Sequence, residues 1–237
     1  RVTSEGVQLI NADDWQVAGL TGSGVKVAVL DLGFAGYASL LGTELPASVV
    51  TQSFRADGGL TGGGEHGTAV AEIVHDVAPD AQMYLVNWGT ELEFLNAVDW
   101  LIAQDVDVIN HSAGWETIGP GDGTGYINDK VSQAVSSGIL WANAMANTAD
   151  SHWTGLWSDP DTDGWLNFSG SDETSNLILY DGEAIGISMK WTDSWAAGCS
   201  DYDLVIFDSL NNLVAASVNV QDCATAPPVE DLFFVAP

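Results

Sequence analysis

The sequence predicts an α/β domain built on a parallel sheet over residues 1–150, followed by a small antiparallel β-sandwich over residues 151–237. Two observations carry this. Up to about residue 150, short β-rich runs alternate with helical-period segments of ten or more residues, the pattern of βαβ units. Beyond it the helical period is lost, and apolar runs are separated by turns of Asp, Asn, Gly and Ser. A hydrophobic content of 46% with ten tryptophans places the whole chain in the globular class.

Taken in order, residues 6–19 carry Val7, Leu9, Ile10, Trp15 and Val17 among Asn and Asp, which predicts a helix or helical turn closed by Thr21-Gly22-Ser23-Gly24. Val25-Lys26-Val27-Ala28-Val29-Leu30 is a buried strand ending at Asp31. Residues 33–42 read as loop and residues 48–54 as a second strand. Gly58-Gly59 and Gly62-Gly63-Gly64 form a flexible approach to His66, from which a helix runs to about Val77 and stops before Pro79. Residues 81–88 form a strand. Leu92, Leu95, Val98 and Ile102 mark one face of a helix over residues 91–104. A strand at 106–112, a helix at 126–136 and a strand at 139–144 complete the pattern. In the second part, residues 184–191, 202–207 and 213–218 read as strands.

Charge narrows the function classes. Five basic against 33 acidic residues give a net charge of −28, and such a surface repels phosphate backbones and anionic lipid headgroups, so neither nucleic acid nor membrane is an expected partner. It suits a solvated secreted protein, a cation binder, or a protein working at high salt, where self-repulsion is screened. No run of about 18 apolar residues occurs to span a bilayer. Cys199 and Cys223 lie close together in sequence without metal-ligand spacing, which favours a disulfide in an oxidising compartment over two buried thiols. The chain opens at Arg1 without a basic and apolar leader, as a mature or trimmed N-terminus would.

The chemistry concentrates where Asp31 ends its strand and His66 starts its helix. A carboxylate at the C-terminal end of a buried strand sits where open α/β sheets place their sites. A histidine oriented by a carboxylate is the base half of a nucleophilic triad. Alone, the Asp reads as a turn residue and the His as a cap or surface residue. Together, Val27-Ala28-Val29-Leu30-Asp31-Leu32-Gly33 and His66-Gly67-Thr68-Ala69-Val70-Ala71 resemble the Asp and His motifs of subtilisin-like serine peptidases, the subtilases. Val108-Ile109-Asn110-His111-Ser112-Ala113-Gly114 is similar to the family's substrate-pairing strand. Residues 138–147 are similar to the strand ending at its oxyanion asparagine, here Asn147. The resemblance covers roughly residues 1–150, with Leu32 where the family has Ser or Thr and Ala146 where it has Gly. No Gly-Thr-Ser-Met/Ala-Ala-x-Pro stretch, the family's nucleophile segment, occurs in the 237 residues.

The resemblance implies a secreted serine endopeptidase acting on polypeptides. Asp31 and His66 would belong to its triad, Asn147 would donate to the oxyanion, and Ser112, Ala113 and Gly114 would hold substrate. The serine would come from the missing C-terminal part of the catalytic domain, so this chain alone is expected to be inactive. Asp201-Tyr202-Asp203-Leu204 and Leu213-Val214-Ala215-Ala216-Ser217 resemble the accessory modules beside secreted peptidases (pre-peptidase C-terminal type), here as an insert. Asp159, Asp161 and Asp163, followed by Gly164, have the spacing of calcium loops, with an acidic turn as the plain alternative. Structural calcium is the one cofactor these residues suggest. His111 points into the core or toward the cleft, and the tryptophans read mostly as core. The competing function is a catalytically inactive scaffold carrying a calcium-stabilised protein- or glycan-binding β-sandwich.

Overall fold

Five strands form one parallel sheet in the order β2-β3-β1-β4-β5, with β1 (Lys26–Asp31) at its centre. The others are β2 (Val50–Ser53), β3 (Gln82–Asn87), β4 (Val108–His111) and β5 (Leu140–Asn143). The structure is a computed structural model describing residues 2–148, 151–196, 198–223 and 225–237. Arg1 and the domain boundary expected at 150 lie outside the described residues. By contacts the chain divides into two compact units, residues 1–115 with 121–146, and residues 116–120 with 147–237.

In the first unit, β1 and β3 are apolar on both faces because helices cover both sides of the sheet. Ala28 and Leu30 of β1, Tyr84 and Val86 of β3 and Ile109 of β4 face α5 (Glu91–Ala103) and α6 (Tyr126–Ser136), which contribute Phe94, Ala97, Val98, Leu101 and Ala134. Val29, Met83 and Leu85 face the other way, onto Ala71 of α4 (His66–Val77) and Phe34. Strand alternation therefore sends Asp31, two residues beyond Val29, to the α4 side. Helix α5 starts at a capping box, in which Glu93 N–H donates to Thr90 Oγ1 and Thr90 N–H donates to Glu93 Oε2.

Short helices α1 (Gly6–Leu9) and α2 (Ala12–Val17) replace the single helix allowed for residues 6–19. A one-turn helix, α3 (Tyr37–Leu40), forms inside the stretch the sequence predicts as loop. The chain visits β2 and β3 on one side of β1 and then crosses to β4 on the other. The direction of winding reverses between β1 and β4, and the crevice at the carboxyl ends of such a pair is where open α/β sheets bind ligands.

The second unit holds antiparallel strands, as expected, grouped as two ribbons: β6 (Ala184–Lys190) with β9 (Val229–Val235), and β7 (Leu204–Phe207) with β8 (Leu213–Ser217). Strand β9 has no counterpart in the sequence reading. A carboxylate joins the ribbons. Glu230 of β9, fully buried, accepts from Ser217 Oγ, from Asn219 N–H (2.7 Å) and Nδ2 (2.8 Å), and from Gln221 Nε2 (2.6 Å). Burial pushes its pKa up, but these donors outweigh it and hold the carboxyl below its ordinary range. Cys199 and Cys223 form the expected disulfide, with Cα atoms 5.6 Å apart.

Candidate active site

Asp31 and His66 meet. His66 Nδ1 lies 2.9 Å from Asp31 Oδ2 and 3.1 Å from Oδ1, and Oδ1 also accepts Leu32 N–H at 2.8 Å. The carboxylate is 1% exposed and the imidazole 61%. A carboxylate can only accept here, so in the neutral imidazole it is Nδ1 that carries the proton and Nε2 that keeps the lone pair. The pair is thus a base held in one tautomer on the open side of the sheet.

Local sequence explains the approach. His66 is the first residue of α4, and Gly67 lets that helix end press onto β1: a Cβ at Gly67 would stand 2.7 Å from Gly33 O, 2.7 Å from Phe34 Cε1 and 2.9 Å from Asp31 Cβ. The glycine-rich loop before His66 lies directly on the chain after Asp31. Phe34 N–H donates to Leu60 O (2.9 Å), Ala35 N–H to Gly64 O (2.8 Å) and Gly67 N–H to Gly33 O (3.1 Å). Gly33 and Gly63 face carbonyls of the opposite loop too closely for any side chain.

Ser112, Ala113 and Gly114 follow β4 on the far side of the reversal point, and a side chain at Gly114 would meet open space. Ser112 Oγ accepts from Asn110 Nδ2 at 3.0 Å. Asn147 is exposed, four residues past β5, and belongs to the second unit. Just before it, Ala146 takes a positive φ of 66°, a conformation glycine adopts more readily.

Of the two orientations open to His111, the structure takes the core. It is 2% exposed and ringed by Trp88, Phe94, Trp115 and Trp141 with centroids 5.2–5.9 Å away. Asn143 Oδ1 accepts Trp141 Nε1–H and so also takes the proton on His111 Nδ1, at 2.8 Å. Burial pushes the His111 pKa down, against the Asn143 hydrogen bond and the Asp31 charge. The tryptophans divide: Trp88, Trp100, Trp115 and Trp141 serve the first unit's core as expected, whereas Trp15, Trp153, Trp157 and Trp165 are exposed.

Asp159, Asp161 and Asp163 each offer a carboxylate oxygen within 4.8 Å of the others, among the described residues the one group able to hold a metal in this way. Asp159 also accepts Asp163 N–H and Gly164 N–H at 3.2 and 3.1 Å, which wraps the loop around its own carboxylates. Burial, followed by the charges of Asp163, Asp161 and Asp159, pushes the nearby Glu173 carboxyl up. Three oxygen donors of this kind fit a hard cation.

Sequence reasoning missed Asn87. It ends β3 beside Asp31 in register and is wholly buried, and its amide ties the two loops behind the pair. The available signal was a polar residue closing an otherwise apolar strand, as Asp31 closes β1.

A model of the subtilase family matches residues 22–175. The minor extracellular protease Epr of Bacillus subtilis (strain 168) is 31% identical over 166 residues, 61% of this chain and 24% of that protein. Subtilisin DY of Bacillus licheniformis is 28% identical over 236 residues, covering 92% of this chain and 82% of the relative. Subtilisin E of Bacillus subtilis (strain 168) is 33% identical over 161 residues, 62% of this chain and 40% of the relative. The chain thus spans less than half the length of two of these three relatives. Among the described residues no helix is long and apolar enough to cross a membrane.

Proposed function

Because the chain belongs to the subtilase family, we propose that it carries the base and the substrate edge of a secreted serine endopeptidase whose nucleophile lies outside these 237 residues. The observation that carries the reading is the 2.9 Å contact between a buried aspartate and an open histidine at the reversal point of a parallel sheet. In the reaction, His66 Nε2 takes the proton of a serine hydroxyl as its oxygen attacks the scissile carbonyl. Asp31 holds the imidazolium that results, and His66 then gives the proton to the departing amine, leaving an acyl-enzyme. Water repeats the sequence to release the acid.

Asn147 would donate its side-chain N–H to the tetrahedral oxyanion. Removing such a donor from subtilisin costs about 10²–10³ in rate. The substrate backbone would pair along residues 112–114 as an added strand. The extracellular Epr relative and the Cys199–Cys223 bridge support secretion. We read the two ribbons as part of a β-sandwich accessory module, with calcium held by Asp159, Asp161 and Asp163. Melting with and without chelator tests the calcium, and an unchanged midpoint removes it. The inactive scaffold stays the competing reading. A fluorophosphonate probe separates the two: a longer translation product carrying that segment is labelled if the chain is part of an enzyme, and stays unlabelled if it is a scaffold. Labelling of the isolated chain at Ser112 or any other serine contradicts the assignment.

A further inference from the structure

We propose that Asn87 is a positioning residue for the Asp31–His66 pair, acting through the glycine-rich loop that delivers His66; the inference rests on the reading of that pair as catalytic. Asn87 and Asp31 are register partners at the carboxyl ends of β3 and β1, and strand alternation puts both side chains on the α4 face. The amide is fully buried, and its Nδ2 faces three backbone carbonyls: Gly59 O at 2.9 Å, Leu60 O at 3.1 Å and Leu32 O at 3.4 Å. Its Oδ1 is buried with no hydrogen-bond partner among the described residues. Leaving an acceptor unpaired is unfavourable, so the position is built around what the amide donates.

Those carbonyls belong to two different loops. Leu32 directly follows Asp31, whereas Gly59 and Leu60 open the segment that runs through Gly62, Gly63 and Gly64 to His66. A segment so rich in glycine has much conformational freedom to lose, and its backbone contacts to residues 33–35 fix it only to another loop. Asn87 ties both loops to the rigid end of a central strand. An aspartate in its place would turn a carboxylate toward three carbonyls beside Asp31, and a leucine would fill the space without donating.

The test uses NMR on the 237-residue chain with ¹⁵N-labelled histidine, of which there are four. The unsubstituted chain should show a hydrogen-bonded His66 Nδ1–H resonance that His66→Ala removes. Asn87→Leu should lose it while the His111 Nδ1–H resonance, held by Asn143, persists as the sign of a folded sheet. Full retention of the His66 resonance in Asn87→Leu overturns the proposal. Should that variant not fold, Asn87→Ser, which keeps one donor, is compared with Asn87→Ala. A stronger His66 signal in the Ser variant is expected, and equal signals overturn the proposal. If the unsubstituted chain lacks the His66 resonance while showing that of His111, the pair itself is wrong, a result distinct from failure of the Asn87 inference.

Discussion

Replacing Gly67 by alanine sets two effects of opposite sign against each other. In an exposed helix interior the exchange stabilises by about 1 kcal/mol, since alanine loses less backbone freedom. At Gly67 the new Cβ would sit 2.7 Å from Gly33 O and Phe34 Cε1 and 2.9 Å from Asp31 Cβ, all inside ordinary contact distance. The carbonyl and the Asp31 Cβ belong to β1 and its exit, so they cannot rotate away as the end of a flexible side chain could. Overpacking of this kind costs about 1–3 kcal/mol. The balance is a net loss of up to about 2 kcal/mol, relieved only if the start of α4 backs away from β1. His66 is the adjoining residue and moves with it, stretching its 2.9 Å contact to Asp31. A misplacement approaching 1 Å can cost about 100-fold in rate. Urea unfolding followed by tryptophan fluorescence gives the first quantity, and the His66 Nδ1–H resonance reports the second. A Gly67→Ala chain about 1 kcal/mol more stable with that resonance intact would refute the packing argument and leave helix propensity as the governing effect.

Two further expectations concern the second unit. Glu230→Gln exchanges charge-assisted hydrogen bonds for neutral ones and turns an amide NH₂ toward groups that themselves donate, so a loss of about 2–3 kcal/mol is expected on chemical unfolding. Because the folded carboxyl titrates below its ordinary value of 4.5, its contribution is complete above that pH and is lost as pH falls through the lower folded value. The variant should therefore show a flatter acid limb, and matching limbs would contradict the assignment. Replacing both Cys199 and Cys223 with alanine opens a loop spanning 24 positions, for which the chain-entropy relation gives about 3.5 kcal/mol of lost stability. A melting midpoint unchanged between the two forms would place the holding of this region elsewhere.

The parts of the fold that read from sequence are those where one local pattern carries the information. The runs at β1 and β3 are apolar throughout because helices cover both faces, whereas the face expected for α5 from Leu92, Leu95, Val98 and Ile102 is rotated: the helix buries Phe94, Ala97, Val98 and Leu101 and leaves Leu92 exposed, because the side it turns to the sheet is set by tertiary packing. Asp31 and His66 were legible because each closes or opens an element at a distinctive short motif. Helix α3 was not, since a single turn has no period to detect. Strand β9 escaped because Glu230 and Asp231 interrupt its apolar run, and Glu230 is buried only because Ser217, Asn219 and Gln221 supply donors. Asn87 was hidden for the same reason: its acceptors stand 27, 28 and 55 positions away. The orientation of His111 depended on which face Ile109 takes, and that follows from the helices around the sheet rather than from the strand itself.

The central claim is that Asp31 and His66 act as one base, and removing the aspartate while keeping its shape tests it most directly. In any longer form that carries the family's serine segment, Asp31→Asn should lower kcat/KM at neutral pH by about 10⁴-fold, as in a serine-protease triad, through kcat with KM little changed. An Asp31→Asn enzyme within tenfold of the unsubstituted one would contradict it.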